Sequence, residues 1–177
     1  MGSIILHNKE GFVLRSSVLI NGQQRITTIY LLLKALFDSI DNKDTKELLQ
    51  DALCNRFKGE PENRNETNKL RLKASSKDND DLMWLINGME HSIKKDSGIY
   101  RNYQFFKENI KKIEIEEGIP PKSIFNALKR LTVVVIILDK DDVPQVVFEC
   151  INSTGLPLEL FDLIRNYVLM IDSNQEE

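Results

Sequence analysis

The feature that most constrains the fold lies near the start of the chain. Val18-Leu19-Ile20 is an apolar, β-prone triplet, and Asn21-Gly22-Gln23-Gln24-Arg25-Ile26-Thr27-Thr28 follows it directly. From Thr27 the period changes. Ile29, Leu32, Leu33, Leu36, Phe37 and Ile40 recur at three- and four-residue steps, the mark of an apolar helical face. A strand must therefore give way to a helix within a few residues. Gly22 can take a positive φ and lets a ligand approach the backbone. The unpaired N–H groups of a first helical turn point out of the helix end, where the macrodipole favours negative charge. Arg25 adds a planar fork that fits a phosphate or carboxylate. Gln23 and Gln24 both donate and accept, which suits positioning a water or reading a base or sugar. Thr27 and Thr28 offer hydroxyls to phosphate oxygens or to a metal-held water. The segment is a candidate anion site, with phosphate the first choice. A plainer reading stays open beside it: a hairpin exit capped by Asn21, with Arg25 paired to an internal carboxylate. The segment is neither a GxGxxG nor a Gly-rich phosphate loop ending in Gly-Lys-Ser/Thr.

The remaining pattern predicts an α+β chain, a small β-sheet with a predominantly helical remainder. Residues 2–6 and 12–20 are β-prone and flank a polar turn at 7–11, so a hairpin feeds the motif. Asp41-Asn42-Lys43-Asp44 stops the first helix, and Thr45, Leu48, Leu49, Ala52, Leu53 and Phe57 outline a second. Residues 58–69 form a polar loop broken by Gly59 and Pro61, and 69–73 a short extended segment. Asp78 to Asp81 start a helix carrying Leu82, Leu85, Ile86 and Met89. A further helix covers 97–115, and Pro120-Pro121 opens another with Ile124, Phe125 and Leu128. The β-branched run in 131–138 predicts a strand buried on both faces. Asp141-Asp142-Val143-Pro144 starts a helix to about residue 151, and a last helix covers 158–171. A single domain over 1–177 is expected, with a helical lobe at 45–129 as a further division.

Composition closes off several functions. The formal charge is -3, so no overall basic field attracts nucleic acid, and any such contact needs a local patch. Cys54 and Cys150 stand far apart without a CxxC partner, and His7 and His91 are the two histidines, which argues against a structural zinc site. Free cysteines of this kind are most simply buried apolar residues. Asp139, Asp141 and Asp142 read as helix-capping acids before a metal site, so no metal ligands are assigned. Trp84 falls on an apolar helical face. No apolar stretch reaches membrane-spanning length and no secretory leader opens the chain, which points to the cytoplasm.

A second constellation lies near the C-terminus: Phe148-Glu149-Cys150-Ile151-Asn152-Ser153-Thr154-Gly155, then Asp162-Leu163-Ile164-Arg165-Asn166. Asn152 and Gly155 suit a turn between helices. Arg165 and Asn166 sit in an otherwise apolar helix, where a charge must reach a partner or the surface. Pairing with Asp162 on a solvated stripe would satisfy that demand.

Together the two motifs resemble those of the N-terminal domain family of GmrSD-type restriction endonucleases. The family pattern Asp-Gly-Gln-Gln-Arg-Leu-Thr-Thr stands here as Asn21-Gly22-Gln23-Gln24-Arg25-Ile26-Thr27-Thr28. Its second hallmark, Phe-Glu-x-Ile/Leu-Asn-x-x-Gly and then Asp-Leu-Ile-Arg/Lys-Asn, matches Phe148 through Gly155 and Asp162 through Asn166. Gly2-Ser3-Ile4-Ile5-Leu6 and Lys69-Leu70-Arg71-Leu72 fall in the family's order, so the resemblance spans nearly the whole chain. It implies a core like that of ParB and sulfiredoxin, and a nucleotide-binding module of a modification-dependent DNA restriction or phage-defence protein. Hydrolysis of an NTP with Mg is implied alongside binding. Gln24 and Arg25 would then be the catalytic pair, with Asn21, Gly22, Gln23, Thr27 and Thr28 on the nucleotide phosphates. Asn152, Gly155, Arg165 and Asn166 form the second motif. The implied partners are a nucleotide, DNA, and an HNH-type nuclease domain or subunit. Asn21 replaces the family's acid and removes a carboxylate that could hold a metal or act as a base. The family's aromatic upstream segment and a His-rich nuclease part have no counterpart in this sequence. A truncated member, inactive in isolation, is therefore expected. The competing function class is a non-catalytic nucleic-acid-binding or scaffold domain.

Overall fold

The computed structural model describes residues 3–9, 16–55, 69–74, 76–139, 142–143 and 146–147. The described elements are β1 (Ser3–Lys9), β2 (Ser16–Asn21), α1 (Gln23–Ser39), α2 (Lys43–Leu53), β3 (Cys54–Asn55), β4 (Lys69–Leu70), α3 (Ser76–Ile86), a 3-10 turn (Glu90–Ser92), α4 (Gly98–Glu117), α5 (Pro121–Leu128) and β5 (Val134–Leu138). The class is α+β and mainly helical, as the sequence pattern predicts. The chain divides into a sheet unit, Met1–Gln23 with Thr132–Glu177, and a helical unit, Gln24–Leu131.

In the sheet unit the strand order is β2-β1-β5. β1 and β2 pair antiparallel, with an irregularity between Ile5 and Leu6, which gives the expected hairpin. β1 runs on through His7, Asn8 and Lys9, residues whose polarity alone suggests a turn. Its pairing with β2 supplies the ladder that overrides that preference. β5 pairs parallel to β1, with Ile5 opposite Ile136 and His7 opposite Leu138. Strand alternation puts Ile5, Ile136 and Leu138 on one face, where they pack with Ile20 and Val147.

β5 is not the doubly buried strand that its sequence predicts. Val134, Val135 and Ile137 are 61%, 47% and 57% exposed, and Leu138 alone of the five is buried. Branching at Cβ favours extended backbone, but it carries no information on whether a face is covered. β1, not β5, holds the centre of the sheet.

In the helical unit, α1 begins at Gln23, four residues before the apolar period emerges, because Gln, Gln and Arg are good helix formers. Its deepest line is Tyr30, Leu31, Lys34, Ala35 and Leu36; Ile29, Leu32, Leu33 and Phe37 are half-buried. The helix is apolar around most of its circumference, so periodicity alone places the deep stripe one residue off. Asn42 caps α2 by accepting from the Thr45 amide at 3.0 Å, and Thr45 and Leu49 turn inward. Leu48 faces out, and α2 ends at Leu53. Phe57 and the polar loop lie outside the described residues. β3 pairs antiparallel with β4, so the expected extended segment is a short strand. Leu82, Leu85 and Tyr103 join Leu31, Leu36 and Leu49 in the core, all fully buried. Each apolar side chain so enclosed contributes roughly 1.5–3 kcal/mol. Trp84 packs against this core, as its helical position suggests, while Met89 lies beyond the end of α3 and is exposed. No described helix is long and apolar enough to cross a membrane.

Candidate functional site

The strand-to-helix turn is present as the sequence predicts, with β2 ending at Asn21 and α1 opening at Gln23. Asn21 is half-buried and pairs with Ile5 across the ladder. Gly22 is buried and has φ +96°, a conformation that L side chains rarely adopt. A Cβ built there would lie 3.1 Å from Ile4 Cγ1 and 3.5 Å from Ile4 Cα. Two independent constraints therefore select glycine: the sign of φ and the nearness of β1.

Gln23 is exposed, and its Nε2 donates to the Leu19 carbonyl at 3.2 Å. That bond ties the side chain back to β2, which the sequence gives no way to foresee. Of the helical unit's candidates, Gln24, Arg25 and Thr28 are exposed and Thr27 is half-buried. The first turn of α1 itself carries no Asp or Glu, so no acid of its own offsets the positive end of this 17-residue helix. The seven residues lie within the eight-residue stretch 21–28, interrupted by Ile26 alone. Asn21, Gly22 and Gln23 fall in the sheet unit, and Gln24, Arg25, Thr27 and Thr28 in the helical unit.

Asn152, Gly155, Arg165 and Asn166 lie outside the described residues, as do Cys150 and Asp141. Asp139 and Asp142 are described, and they bond to each other in a tight turn after β5. The Asp142 carboxylate accepts from the Asp139 amide at 2.8 Å, and the Asp142 amide donates back to the Asp139 carbonyl at 3.2 Å. No group of three or more potential metal-ligating side chains occurs among the described residues.

Sequence reasoning missed a polar cluster inside the helical unit. Lys34 is 5% exposed, and its Nζ lies 2.8 Å from Asp38 Oδ1 and 5.3 Å from the Phe37 ring centroid. The Tyr103 hydroxyl donates to Asp38 Oδ2 at 2.7 Å and lies 3.2 Å from Glu90 Oε1. Burial, followed by the Asp38 hydrogen bond and charge, pushes the Tyr103 phenol far above its ordinary range. Burial does the same to Tyr30, whose hydroxyl donates to the Leu53 carbonyl. The i,i+4 spacing of Lys34 and Asp38 was the available signal, but surface pairs share it. The cluster joins α1 to α4 and to the 3-10 turn, and so fixes the helix whose first turn carries the motif.

The sequence matches the family of the GmrSD restriction endonuclease N-terminal domain over residues 1–169. The chain belongs to this family. No curated protein matches it. Membership makes it a restriction-system protein and agrees with the two-motif resemblance drawn from the sequence. In this GmrSD N-terminal domain the buried Gly22 and the exposed Gln24, Arg25 and Thr28 fall within the first motif.

Proposed function

We propose that this GmrSD N-terminal domain binds a nucleotide through its phosphates at the 21–28 turn, in the service of DNA restriction and phage defence in the cytoplasm. The observation that carries the reading is the exposed, acid-free first turn of α1 set directly after a glycine at φ +96°. Arg25 would clamp phosphate oxygens, and the backbone amides at the helix start would share their charge. Thr28, with half-buried Thr27 beside it, would add hydroxyl donors. Gln24 would orient the ligand or an attacking water, while Gln23, held by Leu19, would keep the turn in shape.

Residues of this kind fit a nucleotide with Mg²⁺, whose metal would be held chiefly by phosphate and water. Asn21 contributes an amide, which serves as a neutral ligand or hydrogen-bond partner and not as a base. Binding is accordingly proposed for this chain, and hydrolysis for a form that supplies a base from another segment or subunit. An HNH-type nuclease part would be the natural recipient of the signal.

Calorimetric titration of the full chain with ATP and GTP, with and without Mg²⁺, tests the reading. Wild type should bind one of them, and Arg25→Ala should weaken it at least about tenfold, as expected for a charged hydrogen bond worth ~1.5–3 kcal/mol. A folded wild-type sample that binds neither nucleotide would sink the proposal.

A further inference from the structure

A second anion-binding surface stands out away from the turn. Between residues 118 and 138 the chain has no Asp or Glu, yet it carries Lys122, Lys129 and Arg130. The rest of the sequence is acidic, since the whole chain holds 24 bases against 27 acids. The acids of α4 end at Glu117, and Gly118, at φ +66°, closes that helix before the basic stretch begins.

α5 sorts this stretch into two sides. Pro121 and Phe125 are buried and Ile124 and Leu128 are half-buried, which fixes the inner side. Lys122, Ser123, Asn126, Lys129 and Arg130 are all exposed, and the 3.6-residue period gathers them on the outer side. Among the described residues none of the three cations is in an ion pair. Lys129 Nζ sits 4.9 Å from the Phe125 ring centroid, and that interaction leaves its charge unneutralised. Ser123, Asn126 and Arg130, with Ala127, line an open depression of about 290 Å³ along this side. Positive charge, neutral donors and a shallow concave face on one short helix match the needs of a polyanion backbone better than those of a small ligand.

We propose that the outer side of α5 contacts the phosphate backbone of duplex DNA, with Lys122, Lys129 and Arg130 meeting phosphates as charges and Ser123 and Asn126 as neutral donors. It supplies a local patch of the kind an acidic chain needs in order to approach DNA. Sequence selectivity is not expected, because phosphate contacts position a protein without reading bases. The inference is independent of the nucleotide reading and stands if that reading fails.

The test is fluorescence anisotropy of the full chain with a labelled mixed-sequence duplex across a salt series. Replacing Lys122, Lys129 and Arg130 together by Ser should lower affinity at least about tenfold at low salt. It should also flatten the slope of log K against log salt by up to about 3, at ~0.9 for each phosphate deprived of its cation. A matched triple, Lys94→Ser with Lys95→Ser and Arg101→Ser, removes the same charge from other exposed positions and should change the slope little. Asn126→Asp, a single exposed change, should weaken binding as well and guards against a misfolded triple variant. Three results would overturn the proposal: no binding at low salt, an unaltered slope in the α5 triple variant, or equal losses in both triples.

Discussion

The helical unit and the sheet unit enclose their apolar residues to different depths. In the helical unit Leu31, Leu36, Leu49, Leu82, Leu85 and Tyr103 are fully buried, and the buried Lys34 has its carboxylate partner at 2.8 Å. Among the described residues of the sheet unit, Ile5 and Leu138 form the core of one face; on the other Ile4 is buried, while Val135 and Ile137 stand about half exposed. The difference is one of geometry and not of composition. A helix apolar around most of its girth finds neighbours in several directions. An edge strand of a three-stranded sheet has one ladder partner, whatever its side chains prefer.

That contrast should show first in stability. Leu85→Ala in the helical core should cost about 2–5 kcal/mol in denaturant unfolding, from forfeited transfer energy plus a cavity. Ile137→Ala on β5 should cost less than about 1 kcal/mol, since much of the side chain is already in water. Equal losses at the two positions would mean that β5 is covered in solution and would erase the comparison.

The next effect in size concerns the polar cluster. Asp38→Ala removes the partner of a buried lysine and the acceptor of the Tyr103 hydroxyl, and should cost about 2–3 kcal/mol. Lys34→Met keeps the volume and removes the charge, so it should cost far less or even stabilise. Thermal melts of the two variants side by side measure that order, and the reverse order would show that the pair is not held by burial.

A smaller loss is expected at the turn. Gly22→Ala must accept φ +96° and displace Ile4 Cγ1 from 3.1 Å, at about 1–3 kcal/mol. An unchanged melting temperature would show that the turn relaxes freely, and would remove the rigidity assigned to the start of α1.

Much of this architecture was legible in the sequence because it rests on local signals. The hairpin, the stop of α1 at 41–44, the proline start of α5 and the strand–turn–helix at 21–28 each follow from residues within a few positions of one another. What escaped depends on distant partners. The parallel pairing of β1 with β5 leaves no trace at either strand, and neither does the exposure of β5, which depends on what packs against its faces. The burial of Lys34 likewise depends on a partner network, in which Asp38 takes its charge and bonds Tyr103 sixty-five residues away. At the candidate site the residue types were legible, whereas the use of Gln23 as a tether to Leu19 was not.

The central claim is that phosphate settles at the first turn of α1, and amide chemical-shift mapping tests it most directly. ¹⁵N-labelled full chain is titrated with ATP and Mg²⁺, and in parallel with inorganic phosphate. The account predicts saturable shifts centred on the Gln23, Gln24 and Arg25 amides and on the Arg25 Nε–H, all abolished in Arg25→Ala. Saturable shifts that leave these groups still and gather elsewhere in the chain would contradict it.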